Sequence, residues 1–254
     1  MTGFENLNFG VDGDSITAGE QWSFHVYKNL GMKSHSNVAV GSSVWYKRTV
    51  ECAGKTLTTQ DYGSADFAGI SDGWEPTDDP VEMQKRMNNC AVVHIQRFLA
   101  EVKSGNFPAP DIFAFAMGTN DLADSIGDPE KALTGKELRG NENIDLFTEA
   151  GAARWCIQTI QENFPNCRIF VMTPIQTATP EHNRKIEKTI ECLRKICRGL
   201  SVQVIDAYSN SGICEKFEVI GGRGRYLRDG LHPELDGQAL EGAFATKEIR
   251  NNYF

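Results

Sequence analysis

The chain has no run of about 20 apolar residues, the length that a membrane-spanning helix needs, so no crossing segment is expected. It has no Cys-x-x-Cys pair and no His/Cys spacing of the zinc-binding kind, and its seven cysteines are an odd number. Several of them fall in apolar helix or strand patterns, where Cys acts as a small hydrophobe. A reducing compartment is the simpler reading. The residues after Met1 carry neither a basic start nor an apolar stretch, so they do not read as a signal peptide. The expectation is a cytoplasmic protein, or a periplasmic or secreted one if a leader was removed. Positive charge is in deficit: 26 Lys and Arg stand against 34 Asp and Glu, a net charge of −8. Such a surface repels phosphate backbones and anionic lipid heads, so nucleic acid is not expected as a partner. The short basic motif Arg223-Gly224-Arg225 has Glu215, Glu218 and Asp229 close by in sequence. Repeats and low-complexity tracts are absent.

Nucleotide-binding signatures also fail. Gly54-Lys55-Thr56 resembles the end of a phosphate-binding loop, but Thr49 stands where that loop needs its first glycine. Gly222-x-Gly224 is followed by Leu227 at the position of the last glycine of a dinucleotide fingerprint. The Gly-x-Ser-x-Gly elbow of lipases is missing around Ser15, where Thr17 replaces the second glycine. No cofactor and no metal is called for.

What is present is an alternation of short apolar runs with helical periodicity. With 254 residues, 40% of them hydrophobic, the chain can bury one core. One domain over residues 1–254 is expected, with polar insertions at about 45–80 and 121–143. Strands are expected at Leu7 to Val11, Ser36 to Val40, Asp111 to Met117, Arg168 to Met172 and Val202 to Ile205. Helices are expected on the faces marked by Trp22, Val26 and Leu30, by Met87 to Val102, and by Ala153 to Phe164. Two more are expected, one from Thr179-Pro180 and one from about Asp236 to Glu248. This order implies an α/β fold, a flavodoxin-like three-layer α/β/α sandwich around a central parallel sheet. Sites in such sheets lie beyond the carboxyl ends of the strands.

Three short segments fall at those ends. Gly13-Asp14-Ser15-Ile16-Thr17 puts a serine on a tight turn after the first strand, where a following helix N-terminus would favour developing negative charge. Helix capping is the plainer role for that serine. Gly118-Thr119-Asn120-Asp121 puts a side-chain amide at a strand end, where it can donate to an oxyanion; by itself it is also an ordinary turn sequence. Asp229-Gly230-Leu231-His232-Pro233 sets a carboxylate three residues before a histidine, the partner a base needs to hold one tautomer. His25, His35, His94 and His182 lack such company and read as structural or solvent-exposed.

Together and in this order, the three segments resemble the SGNH (GDSL-like) serine hydrolases. The resemblance spans nearly the whole chain. It implies Ser15 as nucleophile, His232 as general base and Asp229 as the carboxylate that orients it. It further implies an oxyanion hole made by Asn120, the backbone N–H of Ser15 and an N–H after the second strand. The glycine of Asn37-Val38-Ala39-Val40-Gly41 comes one residue early for the family pattern, so Gly41 and Ser42 both stay candidates for that last donor.

The implied chemistry is ester hydrolysis through an acyl-enzyme. Trp22, Trp45 and Trp74 fall in or beside the loops around the site. Trp22 reads as core, and Trp45 as the better candidate for a substrate-binding wall. Acidic surface and polar loops lean toward a small-molecule or carbohydrate-linked, short-chain acyl ester. They lean away from a lipid interface, which wants an exposed apolar patch. An acyltransferase with the same triad and a non-catalytic carbohydrate-binding module are the alternatives. Oligomeric state is not legible.

Overall fold

A computed structural model describes residues 3–19, 21–73 and 75–253. In chain order the elements are β1 (Asn8–Gly13), α1 (Trp22–Leu30), β2 (Ser34–Asn37), β3 (Thr49–Cys52) and β4 (Lys55–Thr58). There follow α2 (Pro80–Met87), α3 (Ala91–Ser104), β5 (Ile112–Ala116), α4 (Pro129–Ala132), α5 (Glu149–Asn163) and β6 (Arg168–Met172). The chain ends with α6 (Pro180–Gly199), β7 (Gln203–Ile205), α7 (Ala207–Asn210) and α8 (Leu235–Tyr253).

Five strands form one parallel sheet in the order β2-β1-β5-β6-β7. The alternation inside β5 shows why it is a strand with helices on both sides. Phe113 and Phe115 face one apolar cluster with α3, α5 and α6, while Ile112 and Ala114 face the other with α1 and α8. Every residue of β5 is buried, as a central parallel strand requires. The fold is therefore the α/β layering expected. Among the described residues no helix is long and apolar enough to cross a membrane.

Strand order reverses beside β1: the chain moves outward to β2 on one side, then returns to β5 on the other. Loops after β1, β2 and β5 diverge at this switch point and leave a crevice between them.

Several boundaries differ from the sequence reading, each for a local reason. The expected helix through Met87 is two helices, because Asn88 and Asn89 turn their side chains to other partners. Asn88 Nδ2 donates to Gly69 O, and Asn89 Nδ2 donates to Gly41 O. Such side chains compete with helix geometry, and Cys90 is extended where α3 begins. The start of α2 is set by Asp79, whose carboxylate accepts from Val81 and Glu82 N–H, and by Pro80 in the first turn. The polar insertion expected at about 45–80 holds the hairpin β3–β4, closed by Ala53 and Gly54 with φ of 49° and 75°. Two residues with positive φ suit a tight hairpin turn.

Candidate active site

The turn after β1 is built by close packing. A Cβ on Gly13 would lie 2.5 Å from the Ala116 carbonyl oxygen, so only glycine lets β1 lie this close to β5 at its register partner Ala116. Asp14 is buried, and its Oδ1 accepts the N–H of Ile16 at 3.0 Å. Burial raises its carboxyl above the ordinary range, against the lowering pull of that hydrogen bond and those from Thr119. Ser15 follows, half-buried, its carbonyl held by Gln21 Nε2 at 2.6 Å. Helix α1 starts only at Trp22, with Gln21 before it. Ser15 therefore neither caps that helix nor sits against its N-terminus, which corrects the sequence expectation. The turn from Asp14 to Ala18 instead closes on itself, with Thr17 and Ala18 N–H donating to the Asp14 carbonyl.

The loop beyond β7 brings His232 to Ser15. Asp229 Oδ1 accepts the backbone N–H groups of Leu231 and His232 at 3.0 and 2.7 Å. Its Oδ2 meets His232 Nδ1 at 2.8 Å, and His232 Nε2 lies 2.9 Å from Ser15 Oγ. With Nδ1–H donating to the carboxylate, Nε2 is free to accept the Ser15 hydroxyl proton. Partial burial pushes the Asp229 carboxyl upward, but the hydrogen bonds and the charge of His232 outweigh it and hold it below the usual range.

Asn120 faces the same cleft from the end of β5. Its Nδ2 donates one hydrogen to Ser43 O at 3.1 Å, which fixes the amide and leaves the second hydrogen for a ligand. Gly41 and Ser42 stand on the opposite side. A Cβ on Gly41 would lie 2.3 Å from Asp72 Oδ2, so the glycine is needed for this approach. Ser42 has φ of 61°, a left-handed conformation that a non-glycine residue holds only under constraint. Its Oγ donates to Asp72 Oδ1 at 2.8 Å. From below, Asn89 Nδ2 donates to the Gly41 carbonyl at 2.7 Å. Asn89 Oδ1 lies 3.0 Å from His94 Nε2, and His94 Nδ1 lies 2.9 Å from Asp12 Oδ1. Asp12, His94 and Asn89 have no exposed surface.

Two cavities meet at this point. A polar cleft of about 430 Å³ is lined by Ser15, His232, Gly41, Asp72 and Arg228 among others. A larger cavity of about 710 Å³ has Val44, Tyr46, Val50, Met83, Met87 and Phe147 in its walls. Ser42, Asn120 and Leu231 line both.

Trp45 is not a wall of either. It is fully buried, its ring 5.4 Å from that of Phe115 and its Nε1 donating to Met117 O. Its backbone N–H donates to Asp121 Oδ1 at 3.0 Å. The expectation of a substrate-binding Trp45 is thus corrected, and its neighbours Val44 and Tyr46 face the cavity instead. Trp22 is core, as read, with Nε1 donating to Thr17 Oγ1. Trp74 lies outside the described residues.

Sequence reasoning passed over three residues of this region. His182 lines the larger cavity and its Nε2 donates to Thr119 O at 2.6 Å. His94 and Asn89 hold the Gly41 turn. No local pattern marks any of them, since each reaches its partner from a different element. Beneath Asn120, Asp121 and Glu149 are buried carboxyls, and one oxygen of each has no hydrogen-bond partner among the described residues. Burial raises both above the ordinary range, and their mutual repulsion adds to the rise in Glu149.

The comparisons bear on the family and the fold. The sequence profile of the GDSL-like Lipase/Acylhydrolase family matches residues 12–240. No curated protein matches the chain. Among solved structures, a protein from Lactobacillus plantarum superposes with a TM-score of 0.61 at 14% identity, over 98% of this chain and 99% of its own. A lipase/acylhydrolase from Enterococcus faecalis superposes with a TM-score of 0.52 at 15% identity, over 96% of each chain. At such identities the superpositions speak for the fold alone. The profile, by contrast, spans the turn of Ser15, the strand end of Asn120 and the loop of His232. On that match the chain belongs to the GDSL-like lipase/acylhydrolase family.

Proposed function

We propose that the protein is a serine esterase that works through an acyl-enzyme on Ser15. The observation that carries this reading is the unbroken chain Asp229–His232–Ser15, with contacts of 2.8 and 2.9 Å, at the mouth of the cleft. Ser15 Oγ attacks the ester carbonyl as its proton passes to His232 Nε2. The oxyanion is held by the Ser15 N–H, the free hydrogen of Asn120 Nδ2, and an N–H of the Gly41–Ser42 turn. His232 then gives its proton to the leaving alcohol, and water repeats the sequence to release the acid.

The placement of His232 also divides the substrate. It lines the smaller, polar cleft and not the larger cavity. The leaving alcohol must lie within reach of His232, so the alcohol belongs in the polar cleft with Asp72 and Arg228. The acyl group then passes Asn120 into the larger cavity. At about 710 Å³, with walls more apolar than polar although Lys47, Arg48 and Lys185 also line it, that cavity supports a longer acyl group than the acetyl-sized one that composition suggested.

Release of p-nitrophenol from the acetate, butyrate and octanoate esters tests both parts. The reading expects turnover in wild type that falls to background in Ser15→Ala, with kcat/KM rising from acetate to octanoate. Equal activity in Ser15→Ala overturns the nucleophile assignment. A maximum at acetate overturns the acyl assignment alone.

A further inference from the structure

We infer that residues 216–228 form a docking surface for an anionic lipid bilayer, placed beside the mouth of the catalytic cleft. Three large apolar side chains stand out here: Phe217, Val219 and Ile220 are 49%, 50% and 68% exposed. Ile220 occupies the tip of a tight turn, closed by the Gly222 N–H on the Val219 carbonyl, with Gly221 at a φ of 65°. Turn tips in water ordinarily carry polar residues. An apolar, β-branched residue at a tip, beside two other exposed hydrophobes, marks a surface made to meet an apolar phase.

The charges of this segment separate in three dimensions. In sequence, Glu215, Glu218 and Asp229 stand close to the four bases Lys216, Arg223, Arg225 and Arg228. In the structure, Glu215 and Glu218 are turned to internal partners, and Asp229, though exposed, is engaged by His232. Glu218 accepts the N–H groups of Tyr226 and Leu227 at 3.1 and 2.9 Å. Glu215 accepts from Asn183 Nδ2 at 2.6 Å, and Asp229 holds His232. The bases remain outside. Lys216, Arg223, Arg225 and Arg228 are all exposed. Among the described residues, Lys216, Arg223 and Arg225 form no ion pair with a carboxylate, and Arg228 reaches only Asp229, at 3.9 Å. Lys216 and Arg225 lie over the Phe217 ring, 5.1 and 5.6 Å from its centre.

Exposed hydrophobes ringed by unpaired cations complement a bilayer with anionic headgroups: the apolar tip enters the interface and the cations meet phosphate. The net charge of −8 opposes such contact from a distance. Screening limits that opposition to about 8 Å at physiological ionic strength, so the local cations dominate at contact. Nucleic acid would use the cations but gains nothing from Ile220 and Val219.

The patch adjoins the cleft directly. A Cβ on Gly230 would lie 2.6 Å from the Val219 carbonyl oxygen, and Arg228 lines the cleft itself. Docking would therefore bring the cleft mouth to the lipid surface. The use of this surface to capture ester substrate rests on the esterase reading; the docking does not.

The test is flotation of full-length Ser15→Ala protein with vesicles, so that binding is read without turnover. One set holds equal phosphatidylglycerol and phosphatidylcholine, the other phosphatidylcholine alone. The inference expects partition onto the anionic set at least tenfold above the neutral set, falling with added salt. The same partition should drop at least tenfold in Val219→Ser/Ile220→Ser and in Arg223→Glu/Arg225→Glu, each with an unchanged melting temperature. No partition onto anionic vesicles overturns the inference, as does partition that survives both double variants. Loss of self-association in Ile220→Ser without vesicle binding would assign the patch to a second copy instead, and also overturns it. None of these readouts depends on whether Ser15 is a nucleophile.

Discussion

Asn89 donates from Nδ2 to the carbonyl oxygen of Gly41 at 2.7 Å, so a fully buried amide between α2 and α3 holds the turn that faces Ser15 across the cleft. The turn has little other freedom. Asp72 closes on Gly41 from the solvent side, and Ser42 is held in the left-handed region. Asn89 is in turn fixed by His94, and His94 by Asp12. With the Asn89 amide nitrogen on Gly41 O, its Oδ1 must accept from His94 Nε2–H. The chain thus runs in one sense from the buried imidazole to the Gly41 turn, the proposed oxyanion donor.

Removing that support should act on the transition state more than on substrate binding. Asn89→Ala is expected to lower kcat on the order of ten- to a hundredfold, below the loss of about 3 kcal/mol for deleting an oxyanion donor outright, with KM little changed. Steady-state kinetics on a p-nitrophenyl ester checks the split. An effect confined to KM would assign Asn89 to substrate binding instead.

Asn120 is the more direct case. Its one uncommitted amide hydrogen is the proposed oxyanion donor, and Asn120→Ala should cost about a hundred- to a thousandfold in kcat. Asn120→Asp should be no better, because a carboxylate offers no hydrogen. Activity near wild type in either variant would remove Asn120 from the oxyanion hole.

Asp229 sets the tautomer of His232. In Asp229→Asn an amide can donate to Nδ1 and drive the proton to Nε2, where it faces Ser15 Oγ and blocks proton transfer. A fall in kcat of about ten-thousandfold is expected, as for the same change in other Ser-His-Asp triads. Asp229→Ala should be milder or similar, and retained activity in both variants would contradict the role.

The buried carboxyls predict how stability varies with pH. Burial raises Asp121 and Glu149 above their unfolded values near 4. The folded protein therefore keeps protons that the unfolded chain has already released, and it loses stability as pH rises. No penalty applies below the unfolded values; it grows from there upward until the folded groups ionise. Each group adds a slope of roughly 1.4 kcal/mol per pH unit while its two states differ by one proton. Melting temperature should fall from about pH 5 to 8, and Asp121→Asn/Glu149→Gln should flatten that fall. An unchanged slope in the double variant would place the pH dependence elsewhere.

Much of this arrangement was legible in the sequence, and what was not has physical reasons. Layering, the succession of strands and helices along the chain, and the three loop segments follow from apolar runs such as Ile112 to Ala116 and from short polar motifs at their ends. These signals are local. Residues that act across elements carry no such signal: Asn89 meets Gly41, and His182 meets Thr119, through packing alone. Trp45 misled because proximity to a strand end does not say which way a side chain turns. Its backbone N–H on Asp121 and its indole N–H on Met117 O draw it inward. The same limit hid the patch at Ile220. Glu215 and Glu218 stand close to the arginines in sequence, and only folding turns those acids to internal partners.

Labelling by diethyl p-nitrophenyl phosphate, read by peptide mass spectrometry, tests the account most directly. This ester phosphorylates an activated serine and needs no knowledge of the natural acyl group. The account predicts a single diethylphosphoryl adduct on the peptide that contains Ser15, with stoichiometric p-nitrophenol release, absent in Ser15→Ala and slowed in Asp229→Asn. An adduct on another residue, or equal labelling of Ser15→Ala, would contradict it.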